Sequence, residues 1–387
     1  MASGLRAKLK MIGSAAPAAA SKPMRECGLV CYADRRPIPE GIMNLPPEGL
    51  KRIGGSGRVF DIHRCLFLDT ETTGLSHGAG TVAFLVGLGY VQNGEFVVEQ
   101  YLMRDYPDEP ELIARVAQVM QRFDTVCTFN GKTFDLPLLQ TRFTMCRMRE
   151  QWKDMEQIDL LHPARRTWKL RIGSCRLCRI EEYILGQPRS EDDLPGSEVP
   201  QRYFEFLKTG KMELLNDIIE HNRQDIYTLG LLLVHLCRLY AHPECETRKP
   251  DLYSMGRALE TQGELVTARE LYRLAAIPAP AGSIASLVKD DVGAQASWRL
   301  YLLARKNCDP EAMRSILEQM ANRRQLREKI YIELAKLYEH QFKNPRRALQ
   351  YADLAAQYIP PEEHEALDRR RERLKAKLER KTKNGTF

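Results

Sequence analysis

From about residue 59 the chain alternates two kinds of stretch: short apolar runs ending in acids or turns, and longer ones with apolar residues every three or four positions. The run 65–68 leads straight into Asp69-Thr70-Glu71-Thr72-Thr73-Gly74 and predicts a strand whose end carries two carboxylates. Runs 82–91 and 96–103 flank Asn93-Gly94, a strong hairpin signal. Residues 109–123 have helical spacing through Leu112, Val116, Val119, Met120 and Phe123, with Pro110 early, where a helix tolerates it. A short strand over 125–129 and a helix over 134–145 follow, and a further apolar run ends at Asp159. Helices are then predicted over 175–185, 201–209 and 212–240. This order implies a mixed five-stranded sheet flanked by helices, an α/β domain.

Near residues 243–250 the pattern changes, and 251–360 reads as all helical. Gly256, Ala268, Tyr272 and Ala275 recur in kind as Ala312 and Ile316, then as Ala335, Tyr338, Ala348, Tyr351 and Ala355. The spacing is irregular, so these are degenerate units similar to tetratricopeptide repeats; a plain helical bundle is the alternative. Residues 1–25, rich in Ala, Ser and Lys, lack a core pattern and are expected to be mobile. Residues 25–57 carry four prolines and end in Gly54-Gly55-Ser56-Gly57, an irregular lead-in. The expected division is therefore 1–57 lead-in, 58–242 α/β domain, 251–361 helical-repeat domain and 362–387 charged tail. That tail reads as an amphipathic capping helix or as a basic contact surface.

A chain of 387 residues can bury two cores. Its net charge of +7 suits a polyanionic partner but falls short of a polycation. A carboxylate site is locally acidic, so the positive excess must lie elsewhere on the surface. The ten cysteines are scattered without a framework, which points to free thiols in a reducing cytoplasm. Cys175-x-x-Cys178 lacks the second pair a zinc site needs. No apolar run approaches the roughly 20 residues that span a membrane.

Candidate chemistry starts at Asp69 and Glu71. One residue apart on a strand, they point the same way and repel unless a cation sits between them. Hard oxygen ligands of this kind suit Mg²⁺ or Mn²⁺. Asp135 lies at a strand-turn-helix junction, where it is either a third ligand or a simple helix cap. Asp225 is the fourth acid, with His221 one helical turn before it on the same face. Together the four supply enough oxygens for two divalent ions about 4 Å apart, the arrangement that serves phosphodiester hydrolysis. His221 is then the candidate general base, its ordinary pKa lying near neutrality. Asp159 is either support for this site or a strand-end acid paired with an arginine, and Arg165, Arg166 and Lys169 beside it could meet phosphates. Asn130 either touches substrate or stabilises its turn. His63, His77 and His162 show no metal-binding spacing.

Asp69-x-Glu71, Asn130-x-x-x-x-Asp135 and His221-x-x-x-Asp225, in this order, resemble the DEDD superfamily of 3′–5′ exonucleases on the ribonuclease H-like fold. More closely, residues 60–236 resemble the bacterial YprB-like ribonuclease H-like proteins. The matching stretches are 69–75, Phe84-Leu-Val-Gly-Leu-Gly89, Asp193-Leu-Pro-Gly-Ser-Glu-Val-Pro200 and His221-Asn-Arg-Gln-Asp225. The resemblance implies Asp69, Glu71, Asp135 and Asp225 as ligands of two Mg²⁺ or Mn²⁺ ions. It also implies Leu75 against the terminal base, Thr70, Thr72 and Thr73 near the terminal sugar, and tetratricopeptide repeats behind the domain. One feature departs from it: a histidine stands at the spacing of the superfamily's tyrosine branch, four before the last aspartate, whereas its histidine branch uses five.

The expectation is a cytoplasmic, metal-dependent 3′–5′ exonuclease acting on single-stranded DNA or RNA ends, with the repeats holding a protein partner and no membrane contact. An internally cutting nuclease and a catalytically weak nucleic-acid-binding scaffold are the alternatives.

Overall fold

The Asn93-Gly94 signal becomes a two-residue turn with both residues in the left-handed region (φ 52° and 79°), which is what a right-twisted hairpin requires. It joins β3 (Ala83–Gln92) to β4 (Glu95–Leu102) in an antiparallel register that pairs Gln92 with Glu95 and Leu85 with Leu102. The computed structural model describes residues 28–55, 59–74, 80–149, 154–189, 195–278 and 291–383. The expected mobility of residues 1–25 and the placement of Leu75 and His77 lie outside these.

The sheet has six strands, not five. The additional one is β1 (Val30–Pro37), antiparallel to β4 at the sheet edge, inside the stretch expected to be an irregular lead-in. Its polar residues conceal it in the sequence: Val30, Tyr32, Asp34 and Arg36 are half-buried, while Cys31, Ala33, Arg35 and Pro37 face out. That weak alternation is typical of an edge strand, where one rim is free of pairing. The remaining strands are β2 (Cys65–Thr72), β5 (Thr125–Thr128) and β6 (Glu156–Asp159), and the order across the sheet is β1-β4-β3-β2-β5-β6. β2 pairs antiparallel with β3 and parallel with β5, so the sheet is mixed as expected.

The chain divides into two compact units. The first holds Met1–Pro39, Asp61–Ile158 and Ser190–Gly230. Its core gathers Leu66 and Leu68 of β2, Phe84 to Leu88 of β3, and Leu112, Ile113 and Val116 of the Glu109–Met120 helix. Tyr203, from the Val199–Thr209 helix, stacks on Phe84 with ring centroids 3.9 Å apart, and its hydroxyl donates to the Met103 carbonyl. The second predicted helix runs Asp135–Met145. The long helix runs Asn216–Ala241, preceded by a tight turn, and its residues up to Gly230 belong to this unit.

The second unit comprises Glu40–Phe60, Asp159–Arg189 and Leu231–Phe387. Its helices Lys249–Thr261, Leu265–Ala275, Asp291–Lys306, Pro310–Asn322, Arg327–His340, Pro345–Ala355 and His364–Lys383 each pack on the next. The small anchors explain the close approach. A Cβ on Gly256 would stand 2.8 Å from the Tyr272 ring, and Ala335, Ala348 and Ala352 are fully buried. Leu367 and Leu374 of the last helix enter the same core. No helix among the described residues is long and apolar enough to cross a membrane.

Candidate functional site

Two glycines set the depth at which the long helix lies on the sheet. Gly87 pairs with Asp69, and Gly89 with Phe67, so the two glycines share one face of β3. A Cβ on Gly87 would come within 2.2 Å of Asn222 Oδ1, and one on Gly89 within 2.4 Å of Ile226 Cγ2. Asn222 and Ile226 are one helical turn apart, so that turn of the long helix seats on the two bare positions. His221 and Asp225, at the same spacing, are carried in with them. His221 Nε2 lies 3.5 Å from Asp225 Oδ2, and the two side chains are only 15% and 13% exposed.

Along β2 the burial alternates. Asp69 and Glu71 are half-buried on one face, whereas Thr70 and Thr72 are buried on the other. The β2–β3 register shifts between Glu71 and Thr72, a bulge that bends the strand end where the acids sit. Asp135 is 4% exposed and accepts a 2.6 Å hydrogen bond at Oδ1 from the Thr70 hydroxyl. It is the first residue inside its helix, with Phe134 at the cap position, so it does not act as the simple helix cap.

Asp69 is where the acids meet. Withdrawal from water lifts its carboxyl well above the usual carboxylate range, and the negative charges of Asp225, Asp135 and Glu71 lift it further. Two acids from distant parts of the chain, Asp135 and Asp225, thus act with the neighbouring Glu71 on one carboxyl. The opposing influence is Asn222, whose Nδ2 donates to Asp69 Oδ2 over 2.9 Å. Asn222 Oδ1 in turn accepts from Gln100 Nε2 at 2.9 Å, and Gln100 stands beside Gly87 on the same face of the sheet. Both amides are buried. The result is a chain Gln100–Asn222–Asp69 that fixes which oxygen of Asp69 remains available.

The expected substrate residues fare differently. The Thr72 hydroxyl donates to the Gly74 carbonyl over 2.7 Å, and Thr73 Oγ1 accepts from the Val82 amide at 3.0 Å, so these two hydroxyls are also engaged within the loop. Asn130 adopts a left-handed conformation (φ 69°) and its carbonyl accepts from the Thr133 and Phe134 amides, the turn-forming arrangement. Asp159 is buried at the end of β6, where its Oδ1 accepts from the Leu161 amide. Asn222, Gln100 and the glycine pair were not singled out by sequence reasoning as site-forming residues. Gly87 and Gly89, two apart in an apolar strand, were the available signal of close backbone approach.

The RNase_H superfamily profile matches residues 66–237, a span that includes all four acids. Over 332 residues, 83% of this chain and 77% of the relative, the sequence is 31% identical to "Uncharacterized protein YprB" of Bacillus subtilis (strain 168). The chain belongs to the YprB family of ribonuclease H-like proteins. Among solved structures, the family B DNA polymerase from the hyperthermophilic archaeon Pyrobaculum calidifontis aligns with 51% of this chain at 16% identity and a TM-score of 0.36. The aligned part is 29% of that polymerase chain.

Ribonuclease H-like nucleases use divalent metals, and the donor set of this YprB-family chain fits hard cations. Asp69, Glu71, Asp135 and Asp225 offer only carboxylate oxygens, the ligands Mg²⁺ and Mn²⁺ prefer. Their mutual repulsion at Asp69 is what a bound cation would relieve. Among the described residues, no three His, Cys, Asp or Glu side chains stand close enough together to hold a metal ion as they are.

Proposed function

We propose that this YprB-family protein is a divalent-metal-dependent nuclease that hydrolyses phosphodiester bonds, removing nucleotides from the 3′ end of single-stranded DNA or RNA. The observation that carries the reading is the convergence of Asp225, Asp135 and Glu71 on the Asp69 carboxyl. A fold has little to gain from gathering four acids unless a cation is to be held there.

In this reading Asp69, Glu71, Asp135 and Asp225 hold two Mg²⁺ or Mn²⁺ ions. Such ions, when bound, supply Lewis acidity toward phosphoryl oxygens and lower the pKa of water. Asn222 and Thr70 orient the carboxylates of Asp69 and Asp135 through the hydrogen bonds they make. His221 accepts the proton of the attacking water at Nε2, and Asp225 beside it stabilises the imidazolium that results. Asn130 borders the terminal nucleotide, with Thr72 and Thr73 on the strand end that faces it.

The helical unit is read as a degenerate tetratricopeptide-like repeat that holds a protein partner. A recurring contact supports this. Tyr272, Tyr301 and Tyr338 each donate to a glutamate (Glu260, Glu333 and Glu318), and each glutamate is paired with a cation (Arg299, Lys336 and Arg347). The described cysteines form no disulfide with one another, which suits a reducing cytoplasm.

The deciding experiment is turnover of end-labelled single strands with Mn²⁺ by the parent and by Asp69→Ala. Cleavage by the parent and none by the folded variant is expected; equal cleavage removes the reading. The spacing of His221 favours one second reading, a scaffold that binds nucleic acid with weak catalysis. A parent that binds strands and Mn²⁺ without turnover would select it.

A further inference from the structure

We propose that the surface built by residues 160–180 is a track for the phosphate backbone of a nucleic acid. The inference rests on the nuclease reading above for its partner and on separate residues for its chemistry. This stretch holds Arg165, Arg166, Lys169, Arg171, Arg176 and Arg179 and neither Asp nor Glu. Its positive charge is nearly that of the whole chain, +7, concentrated on either side of Gly173.

The structure sorts these cations by what they do. Arg171 is spent on the buried carboxylate of Asp251 at 2.8 Å, and Arg179 pairs with Glu182 while lying over the Tyr183 ring. Arg166 is exposed but donates to the Ile53 carbonyl. Arg165, Lys169 and Arg176 are exposed and have no acidic partner among the described residues.

Geometry places Arg165 and Lys169 together on one helix face, and Arg176 follows just beyond the end of that helix. In the Leu161–Ile172 helix, His162, Arg165, Arg166 and Lys169 are exposed at helical spacing, while Leu161, Ala164, Thr167 and Trp168 are buried on the opposite face. Gly173, in a left-handed conformation (φ 73°), ends the helix, and Arg176 follows at the start of the next. Arg165 and Lys169 also share an environment around Cys175. Burial raises that thiol, and the charges of both side chains work against the rise. An anion that is long, regular and indifferent in sequence satisfies unpaired cations set a helical turn apart. The catalytic carboxylates repel such a polymer, so an enzyme of this class needs cations elsewhere to retain it.

The test is binding without cleavage, on the full chain in EDTA, with a short fluorescein-labelled single strand read by anisotropy across a KCl series. Removing one cation that neutralises a phosphate should flatten the salt slope by about 0.7 for a single strand. The variant Arg165→Gln/Lys169→Gln/Arg176→Gln is therefore expected to reduce the slope by about 2. A control, Arg269→Gln/Lys306→Gln/Lys329→Gln, removes three exposed cations elsewhere and is expected to leave the slope in place. An unchanged slope in the first variant, or an equal loss in both, overturns the track. If the parent cleaves strands while its slope ignores the first variant, the track alone fails. A parent that neither binds nor cleaves removes the track and the nuclease reading together.

Discussion

Asn222 donates from Nδ2 to Asp69 Oδ2 over 2.9 Å, and so ties a helix to the carboxylate on which three other acids act. Its own carbonyl is held by Gln100, leaving the amide no freedom to flip. Replacing it with leucine should remove the bond without changing shape much. Loss of such an orienting partner typically costs 10–100-fold in metal affinity or turnover. Calorimetric titration of Mn²⁺ alongside rate measurements should show Asn222→Leu losing within that range. Asn222→Gln, too long for the seat over Gly87, should not rescue it.

Gly87→Ala places a methyl 2.2 Å from Asn222 Oδ1, and Gly89→Ala places one 2.4 Å from Ile226 Cγ2. Overpacking of this kind costs about 1–3 kcal/mol. Urea unfolding should register a similar loss for both. Activity should separate them, because only Gly87→Ala pushes on the residue that holds Asp69.

Mn²⁺ should raise the unfolding midpoint, since a ligand that binds only the native state stabilises it, by about 2.7 kcal/mol at a hundredfold excess over its dissociation constant. Asp69→Asn removes one of four repelling charges. Scanning calorimetry should therefore find that variant at least as stable as the parent in EDTA and unresponsive to Mn²⁺. A variant that still gains stability from the metal would place the ion elsewhere.

His221 stands 3.5 Å from Asp225, and the proposed mechanism gives it the proton of the attacking water. Removing a general base costs about 100-fold to 10,000-fold. His221→Ala should lose rate on that scale while keeping its Mn²⁺ affinity. His221→Tyr, which restores the residue usual at this spacing, should recover part of the rate.

Glu339, its side chain 1% exposed, joins the Arg327–His340 helix to the last helix through Arg370, Arg373 and Lys377. Burial pushes its carboxyl up, but hydrogen bonds from Arg373 and Lys377 and the charges around it prevail and hold it at about 2. Because the folded value lies below the unfolded one of roughly 4.3, the stabilisation is complete above that pH and fades as pH falls toward about 2. Glu339→Gln should cost on the order of 2–3 kcal/mol at neutral pH. The unfolding curves of parent and variant should draw together in strong acid.

Periodicity and turn chemistry were enough to expose most of the architecture. The Asn93-Gly94 hairpin, the acid-ended strand at Asp69, the Pro110-led helix and the helical second half are local patterns, set by backbone geometry and by the side to which apolar residues point. Strand β1 escaped notice because an edge strand buries only one flank, and Arg35 and Arg36 dilute its alternation. The candidate acids were readable as residues, Asp69, Glu71 and Asp135 near the ends of elements and Asp225 inside a helix one turn after His221. Their meeting was not, because convergence depends on contacts between segments more than a hundred positions apart, such as Asn222 with Asp69. Only the packed fold reveals that two missing side chains, at Gly87 and Gly89, let a helix sink far enough to bring Asp225 within the field of Asp69. A sequence records that a glycine is there; what fills the space it leaves is decided by the rest of the chain.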